Sequence, residues 1–241
     1  MAGLLPGNLE PDFTFAWIIK QWLLYLSKIK VLFIIIILAY VAEVLPIIFF
    51  LLFLKRNKGE GLWVIFLYCV LSLLTEGIFA LTHEPAVYYS FVIVQFLLFS
   101  YFFYSSLKDK KFKYIPVVGA IVYCVVAFSN LANQRFDSIS AALSSVLVIT
   151  YCILLLYELI REPNSIFVYY NKKFWVIIAF FLYFSATLFL YLFFTTLTDD
   201  QRRSYWAINN FFEILKNILF SVSFIMKKHV NRPVDMEYID N

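Results

Sequence analysis

Apolar residues run along this chain in long blocks, and the few polar positions inside those blocks recur with helical spacing. A helix needs about 20 apolar residues to cross a hydrocarbon core. Seven stretches meet that length: 31–54, 62–82, 87–107, 114–130, 137–160, 174–196 and 205–226. The fourth opens on Pro116, a residue tolerated at a helix start. Connections are short, so the pattern predicts an all-α seven-transmembrane helix bundle over 31–226 with no inserted soluble domain. Ahead of it, 1–30 contains "FTFAWIIKQWLLYLSKIK". Its apolar run is broken by Lys20, which predicts an amphipathic helix lying on the membrane surface rather than an eighth span. Trp63, Trp175 and Trp206 each open a span, as an aromatic belt would place them.

The last block inverts the pattern of a soluble helix. Asn209, Asn210, Glu213, Lys216, Asn217, Ser221 and Ser223 fall on one side of a helical wheel, and Phe211, Phe212, Ile214, Leu215, Ile218, Leu219 and Val222 fill the other. In lipid a polar stripe faces other helices or a water-filled cavity. Glu43 in the first span, Glu76 in the second and Gln95 in the third stand at similar depth. The sequence thus predicts a polar layer near the midplane, with Glu43, Glu76, Gln95, Asn209, Glu213, Lys216 and Asn217 as candidate ligand- or ion-binding residues. Three carboxylates face one ammonium there. Pairing of one acid with Lys216, and a proton or a bound cation on another, would balance the charge. The plainer alternative is structural: a Glu213–Lys216 ion pair three residues apart, with Glu43 and Glu76 holding neighbouring helices together.

Composition agrees with a lipid coat. Of 241 residues 63% are hydrophobic and 15% charged, against roughly 45–50% and about 25% in soluble domains. Thirteen basic residues fall on one side of the predicted membrane: Lys55, Arg56, Lys58, Lys108, Lys110, Lys111, Lys113, Arg161, Lys172, Lys173, Lys227, Lys228 and Arg232. Six fall on the other: Lys20, Lys28, Lys30, Arg135, Arg202 and Arg203. The bias predicts an N-terminus outside and a cytoplasmic tail, 227–241. The basic residues form no continuous face, so nucleic acid is not an expected partner. "MAGLLPGNLEPDF" lacks the basic start of a cleavable signal peptide. Cys69, Cys124 and Cys152 all lie in apolar spans, which predicts buried thiols rather than disulfides or metal ligands. No cofactor or metal motif and no catalytic constellation is present, so the expectation is not an enzyme.

Lesser features carry local expectations. Glu158 beside Arg161 reads as an interfacial pair, His83 in "THEP" as a turn residue, and Ser138, Ala141, Ala142 and Ser145 as a small-residue helix contact. Pro46, one turn after Glu43, predicts a kink. A repeat is also visible. "FVIVQFLLFSYFFY" at 91–104 and "FEILKNILFSVSFI" at 212–225 agree at six of fourteen positions, with Gln95 on Lys216, and spans two and six both begin Trp-Val-Ile. A 3+1+3 layout of this kind is similar to that of small sugar and vitamin transporters of the SWEET and PnuC type, which implies a site near the midplane.

"FLLFSYFFY", "FDSISAALSSVLVITYCILLLYEL", "KFWVIIAFFLYFSATLFLYLF" and "ILKNILFSVSFI" resemble uncharacterised seven-helix membrane proteins of Bacteroidetes-type bacteria. That resemblance implies a multi-pass protein of the cell inner membrane and no activity. A lysine in the seventh helix also resembles a microbial rhodopsin, which would imply a retinal-type photoreceptor with a counter-ion on the third helix, where this chain has Gln95. The function expected from the residues is binding or translocation of a small solute or ion, a proton included. The alternative is a membrane sensor or regulatory subunit, acting as a homo-oligomer or through a cytoplasmic protein partner docked on "KKHVNRPVDMEYIDN".

Overall fold

The computed structural model describes residues 34–35, 37–57, 61–131, 138–161, 168–193 and 198–227. The surface helix expected within 1–30 and the tail beyond Lys227 lie outside the described residues. Those described form helices and turns, with no strand among them. The elements are α1 (Ile37–Leu52), then α2 (Leu54–Asn57), α3 (Trp63–Thr82), α4 (Pro85–Ser106), α5 (Lys110–Leu131), α6 (Ser138–Arg161), a 3-10 turn at Val168–Tyr170, α7 (Lys172–Phe193) and α8 (Asp199–Ile225). Helices α3 to α7 are each long and apolar enough to cross a membrane. Leu81, Tyr114, Val125 and Ile139 stand on the outside of the bundle with most of their surface open, where acyl chains are their natural solvent.

Neighbours follow chain order: α3 packs on α4, α4 on α5, α5 on α6, α6 on α7 and α7 on α8, with α4 also touching α6. Phe50 of α1 stacks on Phe66 of α3 and meets Phe224 of α8 edge-on, at 4.4 and 5.1 Å between centroids. At the centre, four rings from four helices close a circuit. Tyr68 of α3 meets Phe99 of α4 at 4.7 Å, Phe99 meets Phe180 of α7 at 4.4 Å, Phe180 meets Phe220 of α8 at 5.2 Å, and Phe220 meets Tyr68 at 6.3 Å. Setting Trp63 on Trp175 brings Tyr68 onto Phe180, and the alignment of 91–104 with 212–225 brings Phe99 onto Phe220. In the circuit Tyr68 and Phe180 each touch both Phe99 and Phe220.

One end of the bundle gathers the loops that carry Lys55, Arg56, Lys108, Lys110, Lys111, Lys172 and Lys173. Lys172, buried at the start of α7, donates to Asn57 Oδ1 at 2.9 Å and to the Arg56 carbonyl at 3.1 Å. Asn57 Nδ2 and Arg56 Nη1 donate in turn to the Phe224 and Ile225 carbonyls. The last carbonyls of a helix have no partner within it, so this knot caps α8 while tying α2 and α7 to it. Ser223 Oγ adds a bond to the Lys172 carbonyl at 2.9 Å.

Some local expectations need correction here and others stand. Helix α5 begins at Lys110, four residues before the predicted 114, and Pro116 lies inside it. The reason is a cap: Asp109 Oδ1 accepts from the Lys111 amide at 2.9 Å, which starts a helix before the apolar run does. Glu158 accepts from the Lys108 and Asp109 amides at 2.8 and 3.0 Å, so it fastens the α4–α5 turn to α6. Arg161 instead donates to Tyr157 and lies over its ring. Helix α1 continues through Pro46. Cys69 and Cys152 are buried free thiols, while Cys124 is only partly buried. His83 is exposed, and its φ of 55° ends α3 in a left-handed turn.

Ser144 and Ser145 of α6 are buried, and both donate back to the Ala141 carbonyl. Where α5 crosses α6, Gly119 faces the Tyr151 hydroxyl, which would overlap any Cβ at that position. The same hydroxyl is buried, with the Ser100 hydroxyl beside it but outside hydrogen-bond geometry. Gly119→Ala is expected to cost about 1–3 kcal/mol through overpacking. Tyr151→Phe alone should be close to neutral, because it removes an unpaired polar atom. The double variant should recover most of the loss, as read from unfolding midpoints in detergent.

Candidate functional site

Helix α8 sets Asn209, Glu213, Lys216 and Phe220 on one face at the i, i+4, i+7, i+11 spacing of a single stripe. Lys216 is 2% exposed. Its Nζ lies 2.8 Å from Glu213 Oε1 and donates to the Tyr68 hydroxyl at 2.7 Å. It also sits 4.4 Å from the centroid of the Tyr183 ring, over its face. An ammonium has three donor hydrogens, and the two oxygens and the ring face account for three directions. Both rings belong to the helices flanking α8, Tyr68 to α3 and Tyr183 to α7.

Glu43 and Glu76 stand beside this pair. The Glu43 carboxyl, 4% exposed, interacts with the Ser72 hydroxyl and the Glu76 carboxyl across the α1–α3 contact. Both acids also feel the charges of Glu213 and Lys216. Tyr68, Ser72 and Glu76 lie four residues apart on one face of α3, so that helix presents a hydroxyl, a hydroxyl and a carboxyl in sequence. Tyr40 of α1 and Tyr88 of α4 lie within reach of the Glu76 and Glu43 charges, and Tyr191 of α7 within reach of Glu213 and Lys216. Going from Lys216 towards the His83 end, burial eases. The Glu213 side chain is 23% exposed, Tyr88 42% and Tyr40 51%. The arrangement is a cluster of acids and phenols around Lys216, its most buried member, with exposure rising towards one end.

The structure therefore brings together four of the seven residues singled out in the sequence: Glu43, Glu76, Glu213 and Lys216. Asn209 is buried on the same stripe, one turn beyond Glu213. Asn217 is 1% exposed and its Nδ2 has no partner, but it points about 100° round the helix from Lys216. Gln95 stands apart. With Val92, Phe96, Phe99, Ser144 and Phe184 it lines a separate gap of about 20 Å³ between α4, α6 and α7, room for a water molecule. In the repeat alignment, Gln95 and Val92 are the counterparts of Lys216 and Glu213.

Tyr68 and Tyr183 were not singled out from the sequence, although the spacing of Tyr68, Ser72 and Glu76 contains the signal. No group of three or more His, Cys, Asp or Glu side chains among the described residues is placed to hold a metal ion. Comparison with protein-family models, with curated proteins and with solved structures gave no match.

Removing one member of a buried ion pair costs about 3–5 kcal/mol, largely because the other charge is stranded. Lys216→Met is expected to show a loss of that order in the unfolding midpoint of the detergent-solubilised protein. Adding Glu213→Gln should restore more than half of it. A Lys216→Met loss that Glu213→Gln leaves unchanged would mean the two charges do not act as a pair.

Proposed function

We propose that this chain is an inner-membrane protein of seven spans that binds, and carries across the bilayer, a small solute or ion held in the chamber around Lys216. The observation that carries the reading is the meeting of Glu43, Glu76, Glu213 and Lys216, from three helices, in one polar cluster. A charged side chain within the bilayer costs at least about 2.5–3.5 kcal/mol on insertion scales. Two carboxyls beyond the one that pairs with Lys216 are more than a structural ion pair needs.

In this reading α1 and α8 are the first and seventh spans, and the basic loops face the cytoplasm. The chamber then opens outward through the His83 end. Spans one to three and five to seven form two copies of one unit, with α5 joining them. The charged copy of the site, between α1, α3 and α8, holds the ligand, and the Gln95 copy is narrowed by Phe96, Phe99 and Phe184 to a gap of about 20 Å³. The packing around Lys216 supports an ion pair in preference to a Schiff base with a retinal-type chromophore. Its carboxylate partner is on its own helix, and the Tyr68 and Tyr183 rings occupy the space beside its nitrogen.

Native mass spectrometry of protein gently extracted from its own membrane tests this. The expected result is a small-molecule adduct on a monomer or homo-oligomer, weakened at least tenfold by Glu76→Gln and by Lys216→Ala. A stoichiometric protein partner with no such adduct would move the assignment to a sensor or regulatory subunit.

A further inference from the structure

We propose that Glu43 and Glu76 hold one exchangeable proton between them, making the α1–α3 contact a proton-binding site inside the chamber. Glu43 presents an acceptor without a donor. Glu43 is 4% exposed, and its Oε1 accepts from no group. Buried polar atoms are otherwise nearly always paired. The groups that interact with this carboxyl are Cys69, Ser72 and Glu76 from α3 and Glu213 and Lys216 from α8. Tyr40 on its own helix and Tyr88 on α4 complete the surroundings on the side of Glu76, and Tyr183 and Tyr191 of α7 face the Glu213–Lys216 pair instead.

The one ammonium in this set is committed, at 2.8 Å to Glu213 and 2.7 Å to Tyr68. The acids are not grouped with a third ligand in a way that would hold a metal among the described residues. A proton is the smallest cation that completes the pair: Glu76 as a carboxylic acid donates its O–H to Glu43 Oε1. Release leaves two carboxylates and gives the proton to water, with no redox partner. Glu76 is the more exposed of the two, so exchange runs through it towards the His83 end. Pro46 adds local freedom, since it has no N–H for the Ala42 carbonyl one turn away and so leaves the Glu43 turn of α1 a bond short.

The proposal rests on the chamber being a functional site, and its test needs no knowledge of the solute. The full chain in lipid nanodiscs is treated with N,N′-dicyclohexylcarbodiimide, which adds to protonated carboxyls in apolar surroundings, and adducts are mapped by peptide mass spectrometry. One adduct per chain is expected, on Glu43 or Glu76, declining as pH rises. Glu43→Gln and Glu76→Gln each put an amide N–H where the proton was. Each should lower labelling of the remaining acid at least tenfold without changing the size-exclusion profile. Glu213→Gln should keep the adduct. Absence of an adduct, an adduct on Glu213, or unchanged labelling of the remaining acid in both Gln variants would overturn the proposal. Solute retention in native mass spectrometry is read separately, so the proton site can fail while the chamber stands.

Discussion

A lysine ammonium sealed inside a bundle that lipid surrounds is the constraint from which the other polar contacts follow. Lys216 cannot reach water, so its charge must be met within the protein. Glu213 one turn earlier on the same helix meets it at 2.8 Å, and the Tyr68 hydroxyl and Tyr183 ring hold the ammonium from α3 and α7. Those contacts fix the rotation of α8 about its axis. Turning the helix by one residue would send the ammonium into lipid and the Ile218 side into the core. With α8 fixed, Glu213 and Asn209 lie on the same face as Lys216, and Glu43 and Glu76 stand beside the ion pair.

The aromatic circuit packs against that cluster through Tyr68. Tyr68, Phe99, Phe180 and Phe220 pack in contact beneath the ion pair, and offset or edge-on ring pairs gain about 0.5–1.5 kcal/mol each beyond burial. Tyr68 belongs to both systems: its ring closes the circuit and its hydroxyl accepts from Lys216. Among the described residues the charge gathers on the side of Tyr68 and Phe220, while Phe96, Phe99 and Phe184 pack around Gln95 on the other.

How much of this could be read from the chain differs by residue. The apolar blocks gave the long helices, because in lipid both length and sidedness are imposed by the solvent. The stripe on 209–223 located α8's inner face for the same reason. Depth alone placed Gln95 with the acids, but depth says nothing about which side of α4 a residue occupies, and Gln95 faces α6 and α7. The start of α5 was missed because Asp109 caps it within a polar loop, where hydropathy has no signal. Glu158 was read with its sequence neighbour Arg161, whereas the better donors, two backbone amides at the α4–α5 turn, come from far along the chain. Tyr68 and Tyr183 passed as ordinary aromatics because a phenol's role depends on what stands opposite it. Lys172 counted as a loop charge, and its burial in the α2–α7–α8 knot is a tertiary fact that no local pattern encodes.

The central claim, that Lys216 is locked inside the bundle as an ion, is tested most directly by reductive methylation of the intact protein in bilayers, with each lysine quantified by peptide mass spectrometry. The account predicts that the exposed Lys108, Lys110 and Lys111 are methylated readily while Lys216 stays unmodified until the protein is unfolded. Methylation of Lys216 at a rate comparable to theirs would contradict it.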